Sequence, residues 1–149
     1  MKLEEEIVQQ KFESDYHKAA VNIFYTSNWL VNIHSDVFKQ YNLTMQQFNI
    51  LRILRGQYPG VVNLKLIKER MLDKMSDVSR LIERLREKEL VDRKTCESDR
   101  RHMDIIITPK GLELLKLLDK DLKEINKKFS TLNEAEVETL NKLLDKLRG

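Results

Sequence analysis

This sequence of 149 residues is short of the residues that break helices or carry reactive chemistry. It has one cysteine, two prolines, four glycines and one tryptophan. A single thiol excludes an internal disulfide framework and suits a reducing compartment. So few glycines and prolines argue against an all-β fold, whose many turns need them. No apolar run is long enough to span a membrane, and the opening Met1-Lys2-Leu3-Glu4-Glu5-Glu6 is acidic and unlike a secretion signal. The expectation is a cytoplasmic protein with no membrane partner. His17, His34 and His102 stand far apart, and neither a glycine-rich phosphate loop nor a serine or cysteine nucleophile motif is present. No spacing suits a metal ion. The chain therefore reads as non-enzymatic, with no cofactor and no metal.

What is there is charge and helix-forming material. Charged residues make up 34% of the chain and hydrophobic ones 41%, enough for one core with solvated helical faces. The net charge of +3 is concentrated in the middle. Residues 63–110 hold 13 Lys plus Arg against 10 Asp plus Glu, while 1–62 balance at six and six and 111–149 at eight and eight. A basic centre between neutral flanks fits a nucleic-acid-binding segment between assembly segments.

The stretch 63–108 reads as two short helices, a strand, a charged loop and a second strand. Over 73–88, Met75, Val78, Leu81, Ile82 and Leu85 recur at helical spacing, and the last four share one face. Asp73 or Ser76 is the expected cap. Ser76, Ser79, Arg80 and Arg84 project from other faces. Serines near a helix start with arginines further along suit a helix in a DNA major groove, where Ser bonds a base edge or phosphate and Arg grips guanine with two hydrogen bonds. Asp77, Glu83 and Glu87 share that surface, so the segment alone also fits a solvated helix. The next segment tips the balance. Residues 90–94 and 102–108 read as strands, the second carrying Ile105, Ile106 and Ile107 in a row. Between them lies Thr95-Cys96-Glu97-Ser98-Asp99-Arg100-Arg101, a charged hairpin tip. A hairpin directly after such a helix is a wing, whose arginines can enter a minor groove. Asp99 can pair with one arginine and pose it.

These residues carry a family resemblance. Leu43-Thr44-Met45-Gln46-Gln47-Phe48, Val78-Ser79-Arg80-Leu81-Ile82-Glu83-Arg84-Leu85, Lys88-Glu89-Leu90-Val91, Asp99-Arg100-Arg101 and Ile107-Thr108-Pro109-Lys110-Gly111 occur in the order seen in the MarR family of bacterial transcription regulators, which the chain resembles over about half its length. The resemblance implies a homodimeric winged helix that binds pseudo-palindromic operators and often releases them when a small ligand binds or a cysteine oxidises. Three positions depart from the pattern. Glu89 stands where Gly is usual, Lys68 where a small Ala is common, and Glu83 where Asp is commoner. Glu89 puts the helix-to-strand turn in question, since Gly is the easy residue for positive φ.

The flanks read as helices. Residues 5–40 look like one long helix or two joined ones, with Ala20, Ile23, Phe24, Ser27, Leu30, Val31, His34 and Phe38 as a buried stripe too long for one small domain to cover, so part of it is expected against a partner subunit. Thr44-x-x-Gln47 has capping-box form, and the helix after it is apolar on several sides, as a central helix should be. Arg52 and Arg55 on it are expected in solvent or in an intramolecular pair. Val61-Val62 is a candidate third strand, Asn63 a cap, and Thr108 a cap with Pro109 at the first helical position. Leu115, Leu118, Leu122, Ile125 and Phe129, then Val137, Leu140, Leu144 and Leu147, form seams separated by a break near Ser130-Thr131-Leu132-Asn133. Packing between subunits suits them better than packing within the chain.

The expected fold is mainly α with a small β-hairpin wing. Residues 41–110 form the winged helix-turn-helix core, and 1–40 and 111–149 are dimerisation helices of the same single domain. The expected function is sequence-specific binding of double-stranded DNA by a homodimer, as a repressor released by a small ligand. Ser76, Ser79, Arg80, Arg84, Asp99, Arg100 and Arg101 are the candidate DNA-contact residues. Tyr25, Trp29, His34, Phe38 and Phe48 are candidates for a small aromatic effector, since the resemblance places a cleft in their neighbourhood, although aromatics at helical spacing are also plain core. Cys96 reads as incidental, because redox sensors in the family usually place cysteine near the first helix. The alternative function is a protein–protein adaptor that presents the same helix to a protein.

Overall fold

Apolar spacing and a series of capping residues divide the chain into its elements. The computed structural model describes residues 2–95 and 103–149. Among them the order is α1 (Leu3–Glu6), α2 (Asp15–Gln40), α3 (Met45–Arg55), β1 (Val62–Asn63), α4 (Leu64–Arg70), α5 (Val78–Glu87), β2 (Val91–Thr95), β3 (Met103–Ile107), α6 (Pro109–Asn126) and α7 (Glu134–Arg148), with a 3-10 turn at Lys127–Thr131. The fold is mostly helical with one small antiparallel sheet, as the sequence predicts.

The N-terminal region is two helices and not one. Ser14 caps α2 by accepting the His17 N–H at 3.1 Å, and residues 7–14 separate α2 from the single turn of α1. At the other end of α2, Asn42 takes φ +52°. Its N–H donates to Lys39 O, and the Leu43 N–H donates to Phe38 O. This pair of bonds is the Schellman ending, with the buried Phe38 and Leu43 closing it. Asparagine tolerates the left-handed region better than most residues.

The next helix, α3, is the hub. Thr44 and Gln47 form the capping box that their spacing predicts. Phe48, Ile50, Leu51, Ile53 and Leu54 are buried, and the helix touches α2, α4, α5, α6 and β3. Around it gather Phe38, Ile67, Met71, Val78, Ile82, Leu85, Ile105, Ile107, Leu115 and Leu118. Each fully buried aliphatic or aromatic side chain removes enough apolar surface to contribute about 1.5–3 kcal/mol.

The sheet runs β1-β3-β2, antiparallel throughout, with Val62 opposite Ile105 and Val91 opposite Ile107. Those four side chains are buried under α3 while Asp92 faces water, the alternation of a one-sided sheet. Val62, expected as part of the third strand, pairs with β3 together with Asn63. Asn63 also caps α4, its Oδ1 accepting the Leu66 N–H at 2.8 Å. Thr108 caps α6 with Pro109 following, as predicted.

One expectation is corrected. The helix read over 73–88 is only Val78–Glu87, and its cap is Asp77, whose carboxylate accepts the Arg80 N–H at 3.1 Å. Asp73 and Ser76 belong to a separate turn before it: Asp73 accepts the Met75 N–H and the Ser76 hydroxyl, both at 3.0 Å. The stripe on α2, read as too long for one small domain to cover, is covered within the single chain only at its C-terminal end. Phe38 is buried and Leu30 and His34 are half-buried, but Ala20, Ile23, Phe24, Ser27 and Val31 are exposed in the single chain. On α7, among the described residues, every side chain is exposed or half-buried, Leu143 and Leu147 included.

Candidate nucleic-acid interface

The centre of the candidate interface is α5. Val78, Ile82 and Leu85 anchor one face of it in the core. The rest of its surface carries Ser79, Arg80, Arg84, Arg86 and Glu87, all exposed, with Arg86 on the flank one turn beyond Ile82 and 3.8 Å from Glu83. The helix therefore presents one hydroxyl and three guanidinium groups outward from a fixed backbone. Such groups can donate to guanine acceptors or to phosphate oxygens. Ser76 sits differently. It is half-buried and its hydroxyl is bonded to Asp73, which leaves it off the outward face formed by Ser79 and Arg80. The Asp73 carboxyl is held below its usual range, first by the Met75 N–H, then by the Ser76 hydroxyl, with Gln46 acting in the same sense.

Both ends of α5 are braced. Before it, the Leu72 N–H donates to the buried Asn49 Oδ1 on α3 at 2.8 Å. After it, Glu89 takes φ +61°, its N–H donating to Arg86 O and that of Leu90 to Leu85 O. This is a second Schellman ending, formed with a glutamate at the left-handed position where Gly is the easy residue. Lys110 Nζ donates to Glu89 Oε2 at 2.6 Å, and the Thr108 hydroxyl donates to the Glu89 carbonyl at 2.7 Å. The ammonium holds the Glu89 carboxyl below the ordinary carboxylate range. Gly111 completes the joint: a Cβ there would lie 2.4 Å from Leu90 O.

Two further contacts tie α5 to its surroundings. Glu83 pairs with Arg93 on β2, linking α5 to the sheet. Lys88 Nζ bonds the Asn42 carbonyl and, at 3.2 Å, Gln47 Oε1, linking α5 to the ends of α2 and α3. A shallow groove of ≈ 380 Å³ runs beside Arg84, lined also by Lys39, Thr44 and Lys88. Lys68 is exposed on α4, so its long side chain does not separate the two helices of the motif. The wing strands β2 and β3 pair from Val91 with Ile107 to Thr95 with Met103. Asp99, Arg100 and Arg101, together with Cys96, lie outside the described residues.

The five aromatic-site candidates separate. His34 and Phe48 line an open cleft of ≈ 770 Å³ between α2, α3 and α6, together with Arg52, Arg55, Asp119 and Lys123. Phe38 is buried behind it, stacked on Phe48 at 4.7 Å between ring centres. Trp29 lies edge-on to Phe129 at 6.4 Å, and the Tyr25 hydroxyl donates to Glu6 at 2.8 Å. Arg55 makes the intramolecular pair expected of it, donating to both Asp119 carboxylate oxygens at 2.7 and 3.2 Å, while Arg52 is exposed. Sequence reasoning missed Asp77 as the cap and Asn49 as the brace. Asp77 carries a signal, a capping residue directly before an apolar helical repeat. Asn49 carries none, because its partner lies on another element.

Comparison with known proteins agrees with this architecture. The model of the MarR family matches residues 43–103. The transcriptional regulator MgrA of Staphylococcus aureus is 34% identical over 113 residues, which are 76% of this chain and 75% of that protein. Among solved structures, a MarR transcription factor from Planctomyces limnophilus superposes with a TM-score of 0.71 at 29% identity, covering 91% of this chain and 98% of that one. BpsR of Bordetella bronchiseptica, described as regulated in its DNA binding by 6-hydroxynicotinic acid, superposes with a TM-score of 0.76 at 26% identity, covering 89% and 99%. With a central helix bearing the sheet, an outward cationic helix and these relatives, the chain belongs to the MarR family of DNA-binding, winged-helix transcription regulators.

Proposed function

We propose that the protein is a homodimeric repressor that binds a pseudo-palindromic operator and is released from it by a small acid. The observation that carries the DNA-reading part is the two-sided character of α5. Val78, Ile82 and Leu85 fix it to α3, and Ser79, Arg80 and Arg84 stand in solvent. In this reading α5 lies in a major groove. Ser79 and Arg80 reach base edges, Arg84 with Lys39 and Lys88 meets the phosphate backbone, and Ser76 shapes the approach. Arg100 and Arg101 serve the wing, one entering a minor groove and one paired with Asp99. Two-fold symmetry sets the half-sites about one helical turn apart, roughly 10 bp.

The dimer is supported by apolar surface that stays exposed among the described residues of one chain. Phe24 on α2, Leu117 on α6 and Leu143 and Leu147 on α7 are at least half exposed. The small acid is supported by the cleft, which combines Phe48 and His34 with the cationic Arg52 and Lys123, Arg55 being paired there with Asp119. An aromatic ring with a carboxylate suits such a lining, and BpsR answers to a molecule of that kind.

Fluorescence anisotropy with a labelled duplex from upstream of the protein's own gene tests the reading at physiological salt. Wild-type protein should bind it well above a scrambled duplex, and Arg80→Ala should weaken binding by roughly tenfold or more, as loss of a base contact does. Equal binding of both duplexes would favour the adaptor alternative. Titrating small aromatic acids into the complex tests release, and Arg52→Ala should blunt it.

A further inference from the structure

Two apolar side chains stand in water on the turn before α5. Leu72 is 76% exposed and Met75 92%. A lone exposed apolar residue is ordinary, but this turn is not a loose one. Asp73 accepts the Met75 N–H and the Ser76 hydroxyl at 3.0 Å, and its carbonyl accepts the Ser76 N–H at 3.3 Å. The Leu72 N–H is held by Asn49, and Lys74 Nζ donates to the Glu69 carbonyl at 2.6 Å. Met75 is thus carried outward by a braced backbone. Around it the exposed Lys68, Arg70 and Lys74 are matched by the exposed Glu69, Asp73 and Asp77, so local charge does not choose its partner and its place in the chain does. The turn runs straight into the N-terminal end of α5, the end of such a helix that meets base edges. Among the groups a major groove displays, the thymine C5 methyl is the apolar one.

We propose that Met75 is a specificity-determining residue that packs its thioether against a thymine methyl in each operator half-site. The inference rests on the reading of α5 as the DNA-facing helix. Methionine suits the task, since its unbranched and polarisable side chain moulds to a small apolar target. It selects thymine by contact and adds no positive charge, so its contribution is independent of salt where that of Arg80 is not.

The test uses full-length protein and a duplex enriched by it from a randomised library, in which each thymine is replaced in turn by deoxyuridine. That change removes only the methyl group. At one symmetry-related position the replacement should weaken wild-type binding by roughly fourfold, the factor for one buried methyl. Met75→Ala should bind the parent duplex more weakly by a similar factor, ignore deoxyuridine at that position, and keep the wild-type salt slope. Met75→Leu should restore sensitivity. Because the side chain is exposed, all variants should unfold at the wild-type temperature. The inference is overturned if Met75→Ala binds the parent duplex as wild type does, if it stays as sensitive to deoxyuridine as wild type at every position, or if the enriched duplexes share no thymine. Failure of wild-type protein to enrich any duplex is a different result: it removes the DNA-facing reading itself, and the role of Met75 with it.

Discussion

Glu89 is where a single residue works against the backbone it occupies. A β-carbon in the left-handed region costs on the order of 1 kcal/mol, and Glu89 holds φ +61°. Against that stands the Lys110 ammonium, a surface partner of small worth. Glu89→Gly should therefore stabilise the protein by roughly 1 kcal/mol, or about 2–4 °C in a thermal melt. The pH dependence has a definite sign. The Glu89 carboxyl is depressed in the folded state by Lys110, so its stabilising share is present above the ordinary carboxylate range and is lost as pH falls through the folded value. The margin of Glu89→Gly over wild type should widen on acidification, and melts at neutral and acid pH read it. A margin that narrows would contradict the ion pair. Asp77→Ala removes the cap of α5 and should cost about 1 kcal/mol. The same loss from Asp73→Ala, with none from Asp77→Ala, would restore the boundary read from sequence. That boundary was ambiguous for a physical reason: Asp73, Ser76 and Asp77 all have capping chemistry, and the bonds that make residues 73–76 a separate turn, with the tie from Leu72 to Asn49, leave the cap to Asp77.

Among the elements, those fixed by local chemistry were the legible ones. Thr44 with Gln47, Asn63, and Thr108 with Pro109 each satisfy orphan amides within three residues, and each marks its helix start as read. The gap between α1 and α2 was hidden because apolar residues recur through it. The helical period of α2 reports that one face is apolar and says nothing of what covers it, so only its length marked the stripe as more than one chain covers. In the candidate site, α5 could be read from its spacing, while its supports on α3 could not, because contacts between elements leave no pattern along the chain. Asn49 is the test of that support. Asn49→Ala leaves the Leu72 N–H without its acceptor and should cost about 1–3 kcal/mol. It should also lower DNA affinity, because the turn that orients α5 loses its anchor. Retained affinity in a destabilised protein would confine Asn49 to a structural role.

At the scale of the whole molecule, α2 and α6 lend the core Phe38, Leu115 and Leu118, while α7 lends it no buried residue. Removal of 132–149 should leave the described sheet and α3 packing in place, since α7 adds no buried residue to them. Sedimentation should then show a monomer with duplex affinity reduced by at least a hundredfold, because two half-sites are no longer engaged together. A truncated chain that stays dimeric would transfer the assembly role to α2 and α6. Leu147→Glu, at an exposed apolar position, should push in the same direction with less risk to folding.

The bare face of α7 also makes abundance a variable of regulation. If two copies must meet before the last fifteen residues find anything to rest on, occupancy of a promoter falls with roughly the square of copy number once the chains are scarce. A cell could then silence such a regulator by dilution through growth, with no signal molecule at all.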